Sequence, residues 1–248
     1  MSDGKKIYRN EWKYLISEKE AELLRRRLAP LMLLDPHAGD EGYEIRSLYF
    51  DDYNNTAYVQ KLMGVYARKK WRIRIYNYSD SKISLERKNK RGNYIYKESA
   101  DLSRKELEMI LDGQYGFLLQ REENLCREFY IECTTNILRP KVIVDYNRIP
   151  LILEEGTVRI TFDSDIRAAV GGWDLFDETL PRLSAQEAGW LVLEVKYTQF
   201  IPQLIHKLLP FPGREFMAFS KYVACYDAAH HITDTTAGIS KTYSGWRN

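Results

Sequence analysis

The stretch "WLVLEVKYT", residues 190 to 198, decides the fold. Strict alternation sends Leu191, Leu193, Val195 and Tyr197 to one face of an extended chain, and Val192, Glu194 and Lys196 to the other. A carboxylate and an amine therefore share one face of an otherwise apolar strand. Taken alone, that face reads as one that meets water.

Seven other segments repeat the period of two: "KIYRNEWKYLIS" (6–17), "YEIRSLYFDD" (43–52), "KKWRIRIYNY" (69–78), "KISLERKNK" (82–90), "NYIYKES" (93–99), "PKVIVDYNRIPLI" (140–152) and "TVRITFDSD" (157–165). Gly, Asn, Asp, Ser and Pro bound them, and "RGNY" at 91–94 predicts a tight hairpin. Helical periods fall between. Ser17 with Glu20, and Ser103 with Glu106, have capping-box spacing at the heads of 17–32 and 102–113. Further helices are predicted over 122–137, 201–210 and 215–229. The tail from about 232 shows no amphipathic period, so the division is one domain over 1–231 and a tail over 232–248. These elements predict an α+β fold: an antiparallel eight-stranded barrel, closed to avoid free edges, with helices packed outside.

Bulk properties exclude several classes. The 248 residues are 44% hydrophobic and 29% charged, and the formal net charge is only +2, so the whole molecule has no strong pull on nucleic acid or anionic membrane. The N-terminus lacks the apolar run of a signal peptide, and no stretch approaches the roughly 20 residues of a membrane span. The expectation is a cytoplasmic protein whose membrane role, if any, needs a membrane-protein partner. Three cysteines without a Cys-x-x-Cys pair read as buried thiols, and the adjacent His230 and His231 lack metal-ligand spacing. "RRR" at 25–27 reads as a solvated helix face and "DD" at 51–52 as a strand-ending turn.

The charged faces of the strands carry the functional signal. Alternation groups eight basic residues on them: Lys13, Arg72, Arg74, Lys88, Lys97, Arg148, Arg159 and Lys196. The accompanying carboxylates are Glu11, Glu86 and Glu194, with Asp163 beside them. The opposite faces are apolar and need the cover that outer helices supply, which turns the charges inward. An interior of that kind needs water, a metal and a polyanion to solvate it. Arg matches phosphate oxygens bidentately, Lys adds compact charge, and carboxylates in that field suit Mg²⁺ or Mn²⁺. The mixture of basic and aromatic residues in "ARKKWRIRIYNY" (67–78) also fits a single-strand nucleic-acid binder, but Trp71 alternates away from Arg72 and Arg74, so no nucleic acid is expected.

In order, "EWKYLI" (11–16), "IRSLYFDD" (45–52), "WRIRIY" (71–76), "SLERK" (84–88), "VDYNRI" (144–149), "VRITFD" (158–163), "LEVKY" (193–197) and "FSKY" (219–222) resemble the catalytic domain of the vacuolar transporter chaperone (VTC) complex, a branch of the triphosphate tunnel metalloenzymes related to the CYTH proteins. The resemblance implies a tunnel barrel that takes ATP, triphosphate or polyphosphate and polymerises phosphate with Mn²⁺ or Mg²⁺. It implies phosphate-binding roles for Lys13, Arg72, Arg74, Lys88, Arg148, Arg159, Lys196 and Lys221, and less directly for Lys97. It casts Tyr146 and Ser220 as hydrogen-bonding neighbours and Glu194 as metal ligand. Glu11 and Glu86 stand either as further metal ligands or as charge balance. The chain departs from the pattern at Arg9, which replaces the first Glu of the CYTH signature Glu-x-Glu-x-Lys and favours the VTC branch. It departs again at Asn89 and Lys90, where yeast-like members have Thr-His, and at Ala218, where they have Lys. A triphosphatase and a non-catalytic polyphosphate binder remain the alternatives on the same fold.

Overall fold

A computed structural model describes residues 8–92, 94–209 and 219–235, the side chains of 231–235 apart. Ten strands form a single antiparallel sheet: β1 (Arg9–Ser17), β2 (Leu33–Leu34), β3 (Tyr43–Asp51), β4 (Ala67–Tyr76), β5 (Ser79–Arg91), β6 (Tyr94–Leu102), β7 (Arg139–Leu153), β8 (Val158–Ala169), β9 (Arg182–Ser184) and β10 (Trp190–Tyr197). Their order is β2-β7-β3-β4-β5-β6-β1-β10-β8-β9, and β7 also pairs with β8. That last pairing closes eight strands into a ring, leaving β2 and β9 as short additions. The predicted eight-stranded barrel is what forms, and closure removes the edges an open sheet of this length would expose. The seam is narrowest between β1 and β6, where only Arg9–Ile95 and Asn10–Tyr94 pair.

Six helices are described: α1 (Glu18–Leu28), α2 (Thr56–Leu62), α3 (Arg104–Leu111), α4 (Asn124–Thr135), α5 (Gln203–Leu208) and α6 (Lys221–Thr235). Both predicted capping boxes are formed, at Ser17 with Glu20 and at Ser103 with Glu106. The longer helices place apolar side chains on the sheet. Phe129, Cys126 and Cys133 of α4 pack with Trp71, Phe50 and Leu85 outside β3, β4 and β5. Ala21, Leu24 and Leu28 of α1 pack with Ile16, Leu193 and Val195 outside β1 and β10. All three cysteines are free and buried, as expected.

The sequence had suggested neither α2 nor the short β2 and β9. Asp51 explains α2: its carboxylate accepts from the Ala57 and Tyr58 amides, capping a helix whose sequence has no strong stripe. The "DD" turn is thus also a helix cap. The last described helix runs from Lys221 to Thr235, into the segment read as tail; residues 210–218, which hold the predicted start at 215 and Ala218, and residues 236–248 lie outside the described residues. Tyr222 and Cys225 of α6 pack with the inward-facing Ile45, Tyr49, Val144 and Val192, so α6 covers part of the barrel interior with apolar surface. No described helix is long and apolar enough to cross a membrane.

Candidate functional site

The inward faces of the strands enclose a cavity of about 530 Å³. Eleven basic side chains and two carboxylates line it. Lys13, Arg72, Arg74, Lys88, Arg148, Lys196 and Lys221 are all there, with Tyr146, Ser220, Glu194 and Glu11. The period-two alternation therefore converges from β1, β4, β5, β7 and β10 on one volume, and Lys221 joins from the first residue of α6.

Glu194 is at the centre of the charge network and only 4% exposed. It accepts from Lys196 at 2.6 Å, Lys13 at 3.0 Å, Lys221 at 3.1 Å and Arg148 at 3.4 Å. The pairing follows from register, since Lys13 lies directly opposite Glu194 and Lys196 opposite Glu11. Burial disfavours the Glu194 carboxylate, yet Lys13, Lys196, Lys221 and Arg148 outweigh it and hold the group well below the ordinary carboxylate range. Glu11 is held down in the same way, against burial, chiefly by Lys88, which donates to it at 2.9 and 3.0 Å, and by Lys13. Lys88 itself is pushed down by burial to about 8, with Glu11 opposing the shift.

The guanidiniums divide by partner. Arg148 forks onto Asp163 through two bonds of 2.6 Å, and Arg72 binds Glu86 at 2.6 Å and the Tyr49 hydroxyl at 3.0 Å. Arg74, 6% exposed, has only neutral partners among the described residues: the Ser47 and Tyr146 hydroxyls, each accepting at 3.0 Å. A buried guanidinium hydrogen-bonded only to neutral hydroxyls keeps its charge for an anion.

Three candidates fall outside the cavity lining. Lys97 turns its ammonium onto Glu86 at 2.6 Å. Glu86, 1% exposed, is enclosed by Arg72 and Lys97 and does not reach the cavity lining. Arg159 binds Asp35 at 2.8 Å and the Tyr43 hydroxyl at 3.0 Å. Conversely, Lys61, Arg68, Lys70, Lys90 and Tyr49 line the cavity without having been singled out for it. Arg68 and Lys70 continue the alternation of Arg72 and Arg74 and were open to the same argument. Lys90, noted only as a departure, lies on the cavity wall. Lys61 comes from α2, which the sequence did not announce.

No three His, Cys, Asp or Glu side chains converge among the described residues. Glu194 and Glu11, both ionised hard-oxygen donors on the cavity wall and bridged by the Lys13 and Lys196 ammoniums, nevertheless fit a Mg²⁺ or Mn²⁺ that draws the rest of its shell from phosphate and water.

The solved structures similar to this chain include the PH1012 protein of Pyrococcus horikoshii (12% identity, 89% of this chain and 99% of that one, TM-score 0.49). A candidate adenylate cyclase of Bacillus halodurans is also similar (13% identity, 96% of each chain, TM-score 0.45). So is a conserved hypothetical protein of Pyrococcus furiosus (12% identity, 88% and 99%, TM-score 0.47). Likeness this distant adds nothing on chemistry. No protein of curated function matches the chain. The sequence profile of the VTC domain matches residues 8–230, from the head of β1 into α6, and the chain belongs to the VTC domain family.

Proposed function

We propose that this protein is a phosphotransferase that moves the γ-phosphoryl group of ATP onto a phosphate or polyphosphate acceptor inside the barrel. One observation carries the reading: eleven basic side chains and two carboxylates converge on one cavity in a chain of formal net charge +2. Membership of the VTC family supports it.

Phosphoryl transfer needs positioning and charge neutralisation more than a covalent nucleophile. Arg74 supplies a guanidinium that no carboxylate occupies, held in place by Ser47 and Tyr146. Arg72 and Arg148 add further positive charge on the cavity wall, each held in place by a buried carboxylate, Glu86 or Asp163, before substrate arrives. Lys13, Lys196 and Lys221 rest on Glu194, and Lys88 rests on Glu11. An entering triphosphate competes for those ammoniums. Glu194 and Glu11, relieved of them, would hold Mn²⁺ or Mg²⁺, which when bound neutralises charge on phosphate oxygens.

The test is to incubate the purified protein with ATP and Mn²⁺ and resolve the products by gel. Long-chain polyphosphate is the expected product. Free phosphate alone would replace the reading with a triphosphatase. No turnover with any nucleotide, beside tight binding of polyphosphate, would replace it with a binding protein.

A further inference from the structure

The turn between α2 and β4 carries the uncharged run "LMGVYA" (62–67), and all six residues are exposed. Leu62 is 61% exposed, Met63 76% and Tyr66 66%, with Val59 one helical turn before Met63 at 37%. An exposed apolar run of this length marks a surface that meets something other than water. Its backbone is fixed. Gly64, at a φ of +67°, ends α2 in a Schellman turn: its amide donates to the Lys61 carbonyl at 3.3 Å, and the Val65 amide to the Gln60 carbonyl at 3.0 Å. The Gly92 amide donates to the Tyr66 carbonyl at 2.9 Å, and a Cβ on Gly92 would stand 2.8 Å from the Tyr66 ring. A Cβ on Gly64 would meet no atom within 4 Å, so the turn projects into open space. Positive charge surrounds it. Residues 53–79 contain six Lys or Arg and no Asp or Glu, and residues 87–97 contain five and none. Arg91 is exposed and stands opposite Ala67, the last residue of the run, in the β4–β5 ladder. Lys61 and Arg68 bracket the run in the chain, and Glu132, which reaches β4 from α4, is taken up by Lys69.

We infer that Leu62, Met63 and Tyr66 form a docking tip that inserts into the surface of an anionic lipid bilayer, with Lys61, Arg68 and Arg91 against its headgroups. The side chains fit that occupant. Leu and Met suit the acyl boundary, and Tyr suits the interface, where its ring is buried and its hydroxyl stays wet. Lys and Arg lay their stems along apolar surface while their charged ends stay among the headgroups, and each adds attraction to anionic lipid. Six consecutive residues fall well short of the roughly 20–30 residues a side of a stable protein interface, whereas a bilayer deforms around a projecting turn. The local excess of charge, and not the net +2 of the chain, drives the approach. Lys61 and Arg68 also line the cavity, so docking by this tip sets the cavity beside the lipid surface. The inference stands whether or not the barrel transfers phosphate.

The experiment is co-sedimentation of the purified protein with vesicles of phosphatidylcholine alone and of phosphatidylcholine with phosphatidylserine. Wild type is expected to bind the phosphatidylserine vesicles roughly tenfold or more tightly than the neutral ones, and to lose that preference as salt rises. L62S/M63S should weaken binding to phosphatidylserine vesicles roughly tenfold or more, and R91E about fivefold. Leu62 and Met63 are exposed and outside the cavity lining, so L62S/M63S should keep the wild-type melting temperature and tripolyphosphate affinity. A second reading uses a label in place of a loss. M63C carrying an environment-sensitive fluorophore should shift to the blue on phosphatidylserine vesicles; S81C, exposed at the other end of the β4–β5 hairpin, should not, and the three native cysteines are buried. Equal binding by wild type and L62S/M63S, equal binding to both vesicles, or no blue shift at position 63 would overturn the inference. Failure of wild type to bind either vesicle would overturn it too; a concentration-dependent dimer lost in L62S/M63S would then assign the tip to a second copy of this chain.

Discussion

Glu194→Gln tests the charge network most sharply. Four cations from β1, β7, β10 and α6 depend on one buried carboxylate, with contacts between 2.6 and 3.4 Å. Gln keeps the shape and removes the charge. Breaking a buried ion pair from one side costs about 3–5 kcal/mol. At about 2–4 °C per kcal/mol for a chain of this size, the ligand-free melting temperature should fall by about 6–20 °C. The lost negative charge also leaves Lys13, Lys196 and Lys221 under-neutralised, which favours an incoming anion. Thermal melts in EDTA, with and without tripolyphosphate, should therefore show a larger ligand-induced rise for E194Q than for wild type, by mass action on a tighter site. Polymer synthesis with ATP and Mn²⁺ should be lost in the same variant. Glu22→Gln, which removes an exposed partner of Arg26 on α1, is the control and should shift the melt by about 1 kcal/mol or less. An unchanged ligand-free melt for E194Q, or an equal tripolyphosphate shift in both proteins, would refute the reasoning.

Arg74→Met removes the donor to the Ser47 and Tyr146 hydroxyls and part of the field that holds Glu86 ionised, so ligand-free stability should fall by about 1–3 kcal/mol; tripolyphosphate affinity should drop roughly tenfold or more, by titration calorimetry. Acid should destabilise the barrel through Glu86, held low by Arg72, Arg74 and Lys97 against burial, and Asp163, held low by Arg148 and Lys221 against burial. Carboxylates depressed in the fold contribute stability in full above their ordinary values of 4.5 and 3.8 and lose it as pH falls below them. Melts between pH 7 and pH 3 should show the decline, with a shallower slope in E86Q; equal slopes would disprove it. Ser17→Ala should cost about 1 kcal/mol by urea denaturation, since Ser17 caps α1 in a complete box with Glu20.

How far the sequence reached is clearest on single strands. In β10, alternation alone separated Leu191, Leu193 and Val195 from Glu194 and Lys196, and the structure buries the first set beneath α1 and α5 while turning the second inward. Strand periods and capping boxes are local, because side-chain direction and terminal amides depend on neighbours in the chain. They determined the strands, the helix starts at Ser17 and Ser103, and which face of each strand is charged. Closure was decided by pairing between segments far apart in sequence, β3 with β7, β1 with β10 and β1 with β6. Only the assembled barrel distinguishes Arg74, which lines the cavity and reaches Tyr146, from Arg159, which pairs with Asp35 outside the cavity lining, although both sit on charged faces. It likewise covers Glu86 with Arg72 and Lys97 while leaving Glu194 on the cavity wall, and brings Lys61 to the cavity from a helix with no clear pattern of its own. A strand's period determines which residues share a face; what that face meets is decided by long-range register, because a charge is stabilised by the partners that the completed barrel sets against it.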